Sequence, residues 1–174
     1  MLNVFYKISQ ARYFWLAGAF YLLLMEAIAL YYQYVLEYYP CALCVQIRAW
    51  VSGAIILSIG FSFVSEHLWW RWTGLTLTTT LVGGALYTSW YAFGVENGTV
   101  LSSCTMGAGF PEFMPLDQWI PWLFSAQGMC GRSPDMWFGL TMNEGLLISL
   151  SIPAFVLLAQ WLLHIRYIFF AVES

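Results

Sequence analysis

Charged side chains are scarce in this chain of 174 residues. They make up 9% of it, whereas 61% of the residues are hydrophobic. A soluble domain carries roughly 25% charged residues. Because so few charges cannot cover the surface of a soluble protein of this size, the composition indicates an integral membrane protein.

The sequence also lacks a basic cluster and a signal-peptide cleavage site. Its formal net charge is −3, and without a basic patch nucleic acid is not an expected partner. Lys7 and Arg12 precede an apolar run from Tyr13 to Tyr32, as in a secretory leader. That run is too long for a leader, and no small-residue cleavage site follows it. We therefore expect a retained membrane span.

Four apolar runs are long enough to cross a bilayer, whose core of about 30 Å needs about 20 helical residues. They cover residues 13–32, 45–64, 69–91 and 145–165. The loops at 33–44 and 92–144 then lie on the same side of the membrane. The pattern predicts one all-α membrane domain over residues 1–174, a four-helix transmembrane bundle with a short first loop and a long second loop.

The second loop contains a candidate interfacial helix. Apolar side chains recur there at i, i+3, i+4 and i+7, at Leu116, Trp119, Ile120 and Leu123. This spacing predicts a short helix on the membrane surface, anchored by Trp119 and Trp122 and stopped or kinked by Pro121. The alternative is an aromatic loop that plugs the bundle.

The positions of lysine and arginine predict the orientation. One side of a four-span chain would hold Lys7, Arg12, Arg71 and Arg166. The other side would hold only Arg48 and Arg132. The positive-inside rule then places both termini in the cytoplasm and both large loops outside, which is the periplasm if the membrane is a bacterial inner membrane.

The four cysteines, Cys41, Cys44, Cys104 and Cys130, lie in the outer loops or at their edge, where disulfides form and persist. They could form structural disulfides, bind zinc or exchange disulfides. Zinc is disfavoured because structural sites usually present two closely spaced pairs. A Cys-X-X-Cys bridge closes too small a loop to add much stability, so Cys41 and Cys44 are interpreted as a redox pair. A structural bridge remains open for Cys104 and Cys130.

The first pair lies where a loop enters an apolar helix. Pro40 cannot extend a preceding helix, and the sequence is apolar from Val45 onward. Cys44 is therefore expected at or near a helix N-terminus, with Arg48 one turn deeper on the same face. Both features lower a thiol pKa and favour the reactive thiolate. The alternative for Arg48 is a side chain that reaches the interface or pairs with Glu37.

Glu26 lies in the middle of the first span, where a carboxylate is a functional hypothesis by default. The interpretation we favour is a protonated side chain bonded to a neighbouring helix, such as to a threonine of the third span. His67 and His164 have no nearby set of metal ligands in the sequence, and we predict no role for them.

Taken together, these motifs resemble the DsbB family, the bacterial inner-membrane thiol oxidases. The resemblance covers nearly the whole chain. It rests on the four spans, on Pro40-Cys41-Ala42-Leu43-Cys44 with Arg48 one turn later, and on Cys104 and Cys130 in a long second loop with Phe110-Pro111-Glu112-Phe113-Met114-Pro115-Leu116-Asp117 between them.

The resemblance implies an electron relay from the periplasmic oxidant DsbA to a membrane quinone. A reduced DsbA thiol would attack a Cys104–Cys130 disulfide, with Cys104 forming the mixed disulfide. Cys130 would then be oxidised by the Cys41–Cys44 pair, with a transient Cys41–Cys130 bridge as one route. Cys44, beside Arg48, would pass two electrons to bound ubiquinone or menaquinone.

Two alternative functions remain open at this point. A quinone reductase of the vitamin K epoxide reductase type also has four spans, but there we would expect the Cys-X-X-Cys late in the bundle and not before the second span. A non-catalytic membrane protein with structural disulfides would leave the placement of Cys44 and Arg48 unexplained.

Overall fold

The computed structural model describes residues 9–101, 107–129, 131, 133–136 and 139–172, with side chains described up to residue 166. Two of the predicted site residues, Cys104 and Cys130, lie outside these ranges, and so does Arg132. Their predicted placement and pairing therefore stay predictions.

The described part of the chain is helical and contains no named strand, which confirms the all-α prediction. The helices are α1 (Arg12–Tyr34), α2 (Ala42–Ser62), α3 (Leu68–Glu96), α4 (Leu116–Trp119), α5 (Pro121–Phe124) and α6 (Met142–Val172). The four long helices coincide with the four predicted apolar runs, and each exceeds its run at one end or both.

Within the described part of the chain, three helices have the length and composition needed to cross a membrane. They are α1, α2 and the part of α6 from Met142 to Arg166. Helix α3 is long enough but is not among them, since its many Trp, Tyr, Thr and Gly residues are less apolar than Leu, Ile or Val. These three helices identify the chain as a membrane protein. The complete four-span bundle stays a prediction.

The long helices pack in the order α1 on α2, α2 on α3, and α3 on α6. Their shared core contains Trp15, Leu22, Ile47, Val51, Ala54, Leu75, Val82, Ala85 and Leu150. Gly74 lets α2 and α3 approach closely, because a Cβ there would lie 2.7 Å from Cγ of the Phe61 ring. Small residues at a contact of this kind are typical of helices packed in lipid.

Several polar contacts connect α6 to the other long helices, among them one to α3 and one to α1. Arg71 Nε on α3 donates to His164 Nε2 at 2.8 Å, and both residues are buried. Since a guanidinium can only donate, this ring nitrogen is unprotonated. Tyr21 on α1 donates to the backbone carbonyl of Ser149 at 2.9 Å. His164, for which we predicted no role, therefore has a structural one.

The candidate interfacial helix is present as two short turns, α4 and α5, separated at Ile120. Residue Ile120 has a non-helical backbone, with φ −135° and ψ 67°, so the helix is interrupted directly before Pro121. The side chains of Trp119 and Trp122 are 62% and 60% exposed. The apolar side chains of this segment pack with the first turn of α2, in a cluster around Val45, Ala108 and Phe124. Its location on a membrane surface stays a prediction.

One carboxylate holds together the two ends of the long second loop. Glu96, the last residue of α3, accepts hydrogen bonds from Ser133 Oγ, from Thr141 Oγ1 at 3.2 Å and from Asn143 Nδ2 at 3.0 Å. The three donors lie near the start of α6, 37 to 47 residues further along the chain. The loop therefore leaves and rejoins the helices at one place, beside the start of α2.

Candidate active site

The structure brings together three of the predicted site residues, Cys41, Cys44 and Arg48, at the N-terminal end of α2. Cys41 is the N-cap, with extended backbone angles, and the helix begins at the next residue. Its Sγ accepts a hydrogen bond from the backbone N–H of Cys44 at 3.4 Å. The two sulfurs are 2.8 Å apart, and both side chains are half-buried free thiols. Little movement is needed to form a disulfide.

The unpaired N–H groups of the first helical turn act mainly on Cys41. The hydrogen bond from the Cys44 thiol, together with the backbone N–H groups of Leu43 and Cys44, lowers the pKa of Cys41 to about 7, although burial opposes the shift. A thiolate at Cys41 is therefore available near neutral pH. From the sequence we expected this stabilisation at Cys44. The N-cap residue Cys41 receives it instead, because the side chain of an N-cap residue accepts from N–H groups two or three residues further along the chain.

Arg48 lies one turn below Cys44 and is buried, with 4% of its surface exposed. Its guanidinium donates to the backbone carbonyl of Ala29 at 3.1 Å and to Gln33 Oε1, both on α1. A longer bond at 3.4 Å reaches the carbonyl of Leu123 in the second loop. The side chain is thus fixed between α1 and that loop and does not simply extend to the interface.

Glu26 is the ionic partner of Arg48. Its Oε1 lies 3.8 Å from Arg48 Nε, which corrects our expectation of a bond to a threonine on the third span. The physical reason is burial, since a guanidinium buried at this depth needs a nearby negative charge. The alternative pairing of Arg48 with Glu37 is not found among the described residues.

A cavity of about 490 Å³ opens between α1, the start of α2 and the start of α6. Cys41, Cys44, Arg48 and Glu26 all line it. The rest of the described wall combines apolar side chains of the three helices, including Met25, Ala29, Ile47, Val51 and Leu146, with residues of both loops. Among the described residues, the pair of thiols therefore borders a cavity that contains one buried cation, one buried carboxyl group and apolar helix side chains, with polar loop residues at its edge.

The second loop is attached directly beside the first cysteine pair. The backbone N–H groups of Gln127 and Gly128 both donate to the carbonyl of Pro40, at 3.1 and 3.0 Å. Gly128 is required by this contact, because a Cβ there would lie 2.3 Å from the carbonyl oxygen of Tyr39. Met129 and Gly131, the chain neighbours of Cys130, line the same cavity as Cys41 and Cys44.

Gln33 is a buried partner of Arg48 that we did not predict from the sequence. It is buried, with 8% of its surface exposed, and it orients the Arg48 guanidinium. The signal was available, because a glutamine in the last turn of an otherwise apolar span requires a buried partner. The i+7 spacing from Glu26 to Gln33 also places both residues on one face of α1.

Comparison with known proteins identifies the family. A family model described as "DsbB: Disulfide bond formation protein DsbB" matches residues 11–162. The chain is 35% identical over 142 residues to "Disulfide bond formation protein B" of Shewanella denitrificans, covering 81% of each chain. It is 34% identical over 169 residues to the protein of the same name from Actinobacillus pleuropneumoniae, covering 92% of this chain and 93% of the relative.

A third relative is "Disulfide bond formation protein B 2" of Pseudomonas aeruginosa, 34% identical over 137 residues, covering 75% of this chain and 79% of the relative. Disulfide formation is thiol redox chemistry, which agrees with two sulfurs in contact at a helix N-terminus. The matches extend over most of the chain, and the residues matched by the family model include Cys41, Cys44 and most of each long helix. The chain therefore belongs to the DsbB family of bacterial disulfide bond formation proteins.

Proposed function

We propose that this chain reoxidises a DsbA-like periplasmic dithiol oxidase and passes the electrons through two cysteine pairs to a membrane quinone. It would be a quinone-dependent protein thiol–disulfide oxidoreductase. One observation carries the proposal: the sulfurs of Cys41 and Cys44, 2.8 Å apart, line a cavity that also contains the buried guanidinium of Arg48. A redox pair beside a fixed cation can reduce an acceptor that gains negative charge as it takes up electrons.

The described residues of the cavity fit a quinone headgroup such as that of ubiquinone or menaquinone. Arg48 offers N–H donors for a carbonyl oxygen, and Cys44 lies one helical turn away on the same wall. Met25, Val51 and Leu146 supply apolar surface for the ring. When bound, a quinone accepts two electrons and two protons. Arg48 would orient it, and the apolar wall would exclude water.

The relay needs a second pair that can exchange with both a soluble protein and Cys41. We assign this role to Cys104 and Cys130, with Cys104 forming the mixed disulfide with the DsbA-like partner. Two contacts support the route: the bonds from Gln127 and Gly128 to Pro40 attach the second loop beside Cys41. A thiolate at Cys41, favoured by its lowered pKa, is the species that thiol–disulfide exchange requires.

The proposed location is the bacterial inner membrane, with four spans, both termini in the cytoplasm and both cysteine-bearing loops in the periplasm. Three candidate spans and the family support a membrane location. The distribution of Lys and Arg supports the orientation. Helix α3 would be the remaining span, since it packs between α2 and α6, which both have the composition of spans.

The other two candidate functions are less well supported. A vitamin K epoxide reductase type of enzyme would carry its Cys-X-X-Cys late in the bundle, whereas here the pair caps the second long helix. Purely structural disulfides would not require a buried arginine beside the thiols or a cavity in front of them.

Two substitutions test the relay. Cys104→Ser should stop exchange with the reduced DsbA-like partner, while a prereduced Cys41–Cys44 pair remains oxidisable by quinone. Cys44→Ser should stop quinone reduction. Purified protein, reduced DsbA and a short-chain ubiquinone analogue are mixed, and both DsbA thiols and quinone absorbance are followed. Turnover of quinone at the wild-type rate in Cys44→Ser would contradict the relay.

A further inference from the structure

Glu26 is the buried carboxyl group in the described part of the cavity wall. It is 8% exposed, and its Oε1 has no hydrogen-bond partner. Two other carboxylates line the cavity, Glu37 and Asp135, but both are exposed to solvent at its rim. An intramembrane carboxyl group of this kind is costly to bury, and its unused acceptor atom requires an explanation.

Arg48 does not donate a hydrogen bond to the Oε1 atom of this carboxyl group. Arg48 directs its terminal nitrogens to Ala29, Gln33 and Leu123, while its Nε faces Glu26 at 3.8 Å, beyond hydrogen-bond distance. The guanidinium is therefore oriented by other groups. What Glu26 supplies is charge, which leaves its oxygen atoms able to accept a proton.

The charges of the three buried groups Arg48, Glu26 and Cys44 can be balanced in two ways that differ by one proton. With a neutral Cys44 thiol, an ionised Glu26 compensates Arg48. With a Cys44 thiolate, Arg48 is compensated by the sulfur and Glu26 is neutral. Moving a proton from Cys44 to Glu26 thus leaves the net charge unchanged, and it avoids the large cost of an uncompensated charge in an apolar wall.

We propose that Glu26 accepts the Cys44 thiol proton and delivers it to the electron acceptor in the cavity. This inference rests on the proposed function, in which that acceptor is a quinone. The S–H bond of Cys44 breaks, and its proton moves to the Glu26 carboxylate. The Cys41–Cys44 disulfide forms as an electron pair leaves for the acceptor. The acceptor takes one proton from Glu26. It takes a second proton from the solvent at the loop end of the cavity, which matches the proton that Cys41 releases there.

The decisive variant is Glu26→Gln, which keeps the size of the side chain but cannot carry a proton. We expect reoxidation of the prereduced Cys41–Cys44 pair by a short-chain ubiquinone analogue to slow by about 100-fold or more, the usual range for general acid–base groups. Glu26→Asp, which retains a carboxyl group, should restore part of the rate. Tyr21→Phe is the matched control on the same helix, outside this cavity, and should leave the rate unchanged.

A second measurement needs no quinone and separates proton transfer from a structural role. In quinone-free protein, the reduced pair shares its proton between Cys44 and Glu26, whereas the oxidised pair leaves Glu26 ionised beside Arg48. The infrared difference spectrum between the two states should therefore contain a carboxylic-acid carbonyl band in the wild type, and its absence there would overturn the inference. The band should persist in Tyr21→Phe and disappear in Glu26→Gln. An unchanged band in Glu26→Gln would overturn the inference even if turnover is slow, because Glu26 would then act only through Arg48. A wild-type rate in Glu26→Gln would also overturn it.

The same experiments distinguish failure of the inference from failure of the proposed function. If wild-type protein does not reduce the quinone analogue at all, the proposed function itself is wrong, and the inference fails with it. If the wild type reduces it and Glu26→Gln does so equally fast, only the role of Glu26 is refuted.

Discussion

Gly128→Ala should separate the second loop from the first cysteine pair. The new Cβ would lie 2.3 Å from the Tyr39 oxygen, 3.1 Å from the Tyr39 carbonyl carbon and 3.2 Å from the Pro40 carbonyl carbon. All three are backbone atoms, so no flexible side chain can move away. The contact must open, and the bonds from Gln127 and Gly128 to the Pro40 carbonyl would be lost.

The size of the effect follows from those two hydrogen bonds. Each contributes about 0.5–1.5 kcal/mol net, so the attached state should lose about 1–3 kcal/mol. This corresponds to about a 5- to 150-fold smaller population of attached loop. If Cys130 exchanges with Cys41 from the attached state, transfer between the two pairs should slow by the same factor.

The assay is a single turnover without quinone. Oxidised protein is mixed with reduced DsbA-like partner, and the appearance of free Cys41 and Cys44 thiols is trapped by alkylation over time. Oxidation of the prereduced first pair by quinone should remain near the wild-type rate, which verifies that the variant folds. Gly60→Ala is the control, since a Cβ there meets no atom within 4 Å. Wild-type transfer in Gly128→Ala would refute the reasoning.

Three further predictions concern the site and its orientation. Arg48→Ala should raise the KM for quinone by 10-fold or more, since a loss of roughly 1.4 kcal/mol of charge-assisted binding is a factor of ten. Arg48→Lys should raise the same KM by a smaller but measurable factor, because an ammonium group cannot reproduce the planar geometry of the guanidinium. Alkylation of Cys41 in the reduced protein should rise through about pH 7, because its pKa is lowered to about that value and the thiolate dominates above it; a midpoint near pH 9 in a stopped-flow pH series would contradict this. After reduction, a membrane-impermeant thiol reagent should label cysteines of the outer loops in spheroplasts, and protection of Cys104 and Cys130 would overturn the orientation.

The local part of this structure could be predicted from the sequence. Long apolar runs form helices whatever their neighbours, so the four long helices were expected close to their observed positions. Pro40 and the apolar run after it were enough to place Cys44 in a first helical turn, with Arg48 one turn deeper. The interruption at Pro121 was also predictable, because a proline lacks the N–H that a continuing helix needs.

Contacts between distant segments could not be predicted in the same way. The expected partner of Glu26 was a threonine, and the observed one is Arg48, because helix periodicity does not specify which faces of different helices meet. The approach of Gly128 to Tyr39 joins two loops and leaves no periodic signal. The greater stabilisation of Cys41 depends on which residue is the N-cap, a boundary that sequence patterns locate only to within a few residues.

The carboxylate of Glu96 has a consequence for how this family can vary. Glu96 accepts hydrogen bonds from Ser133, Thr141 and Asn143. These contacts hold the two ends of the long loop together, whatever the length of chain between them. Closure entropy grows only slowly with length, by about 0.6 kcal/mol for each doubling of a flexible loop. A change in the length of this loop therefore costs little closure entropy. The segment from Ala108 to Gly128 is the exception, because it contacts the start of α2, Arg48 and Pro40 beside the cavity.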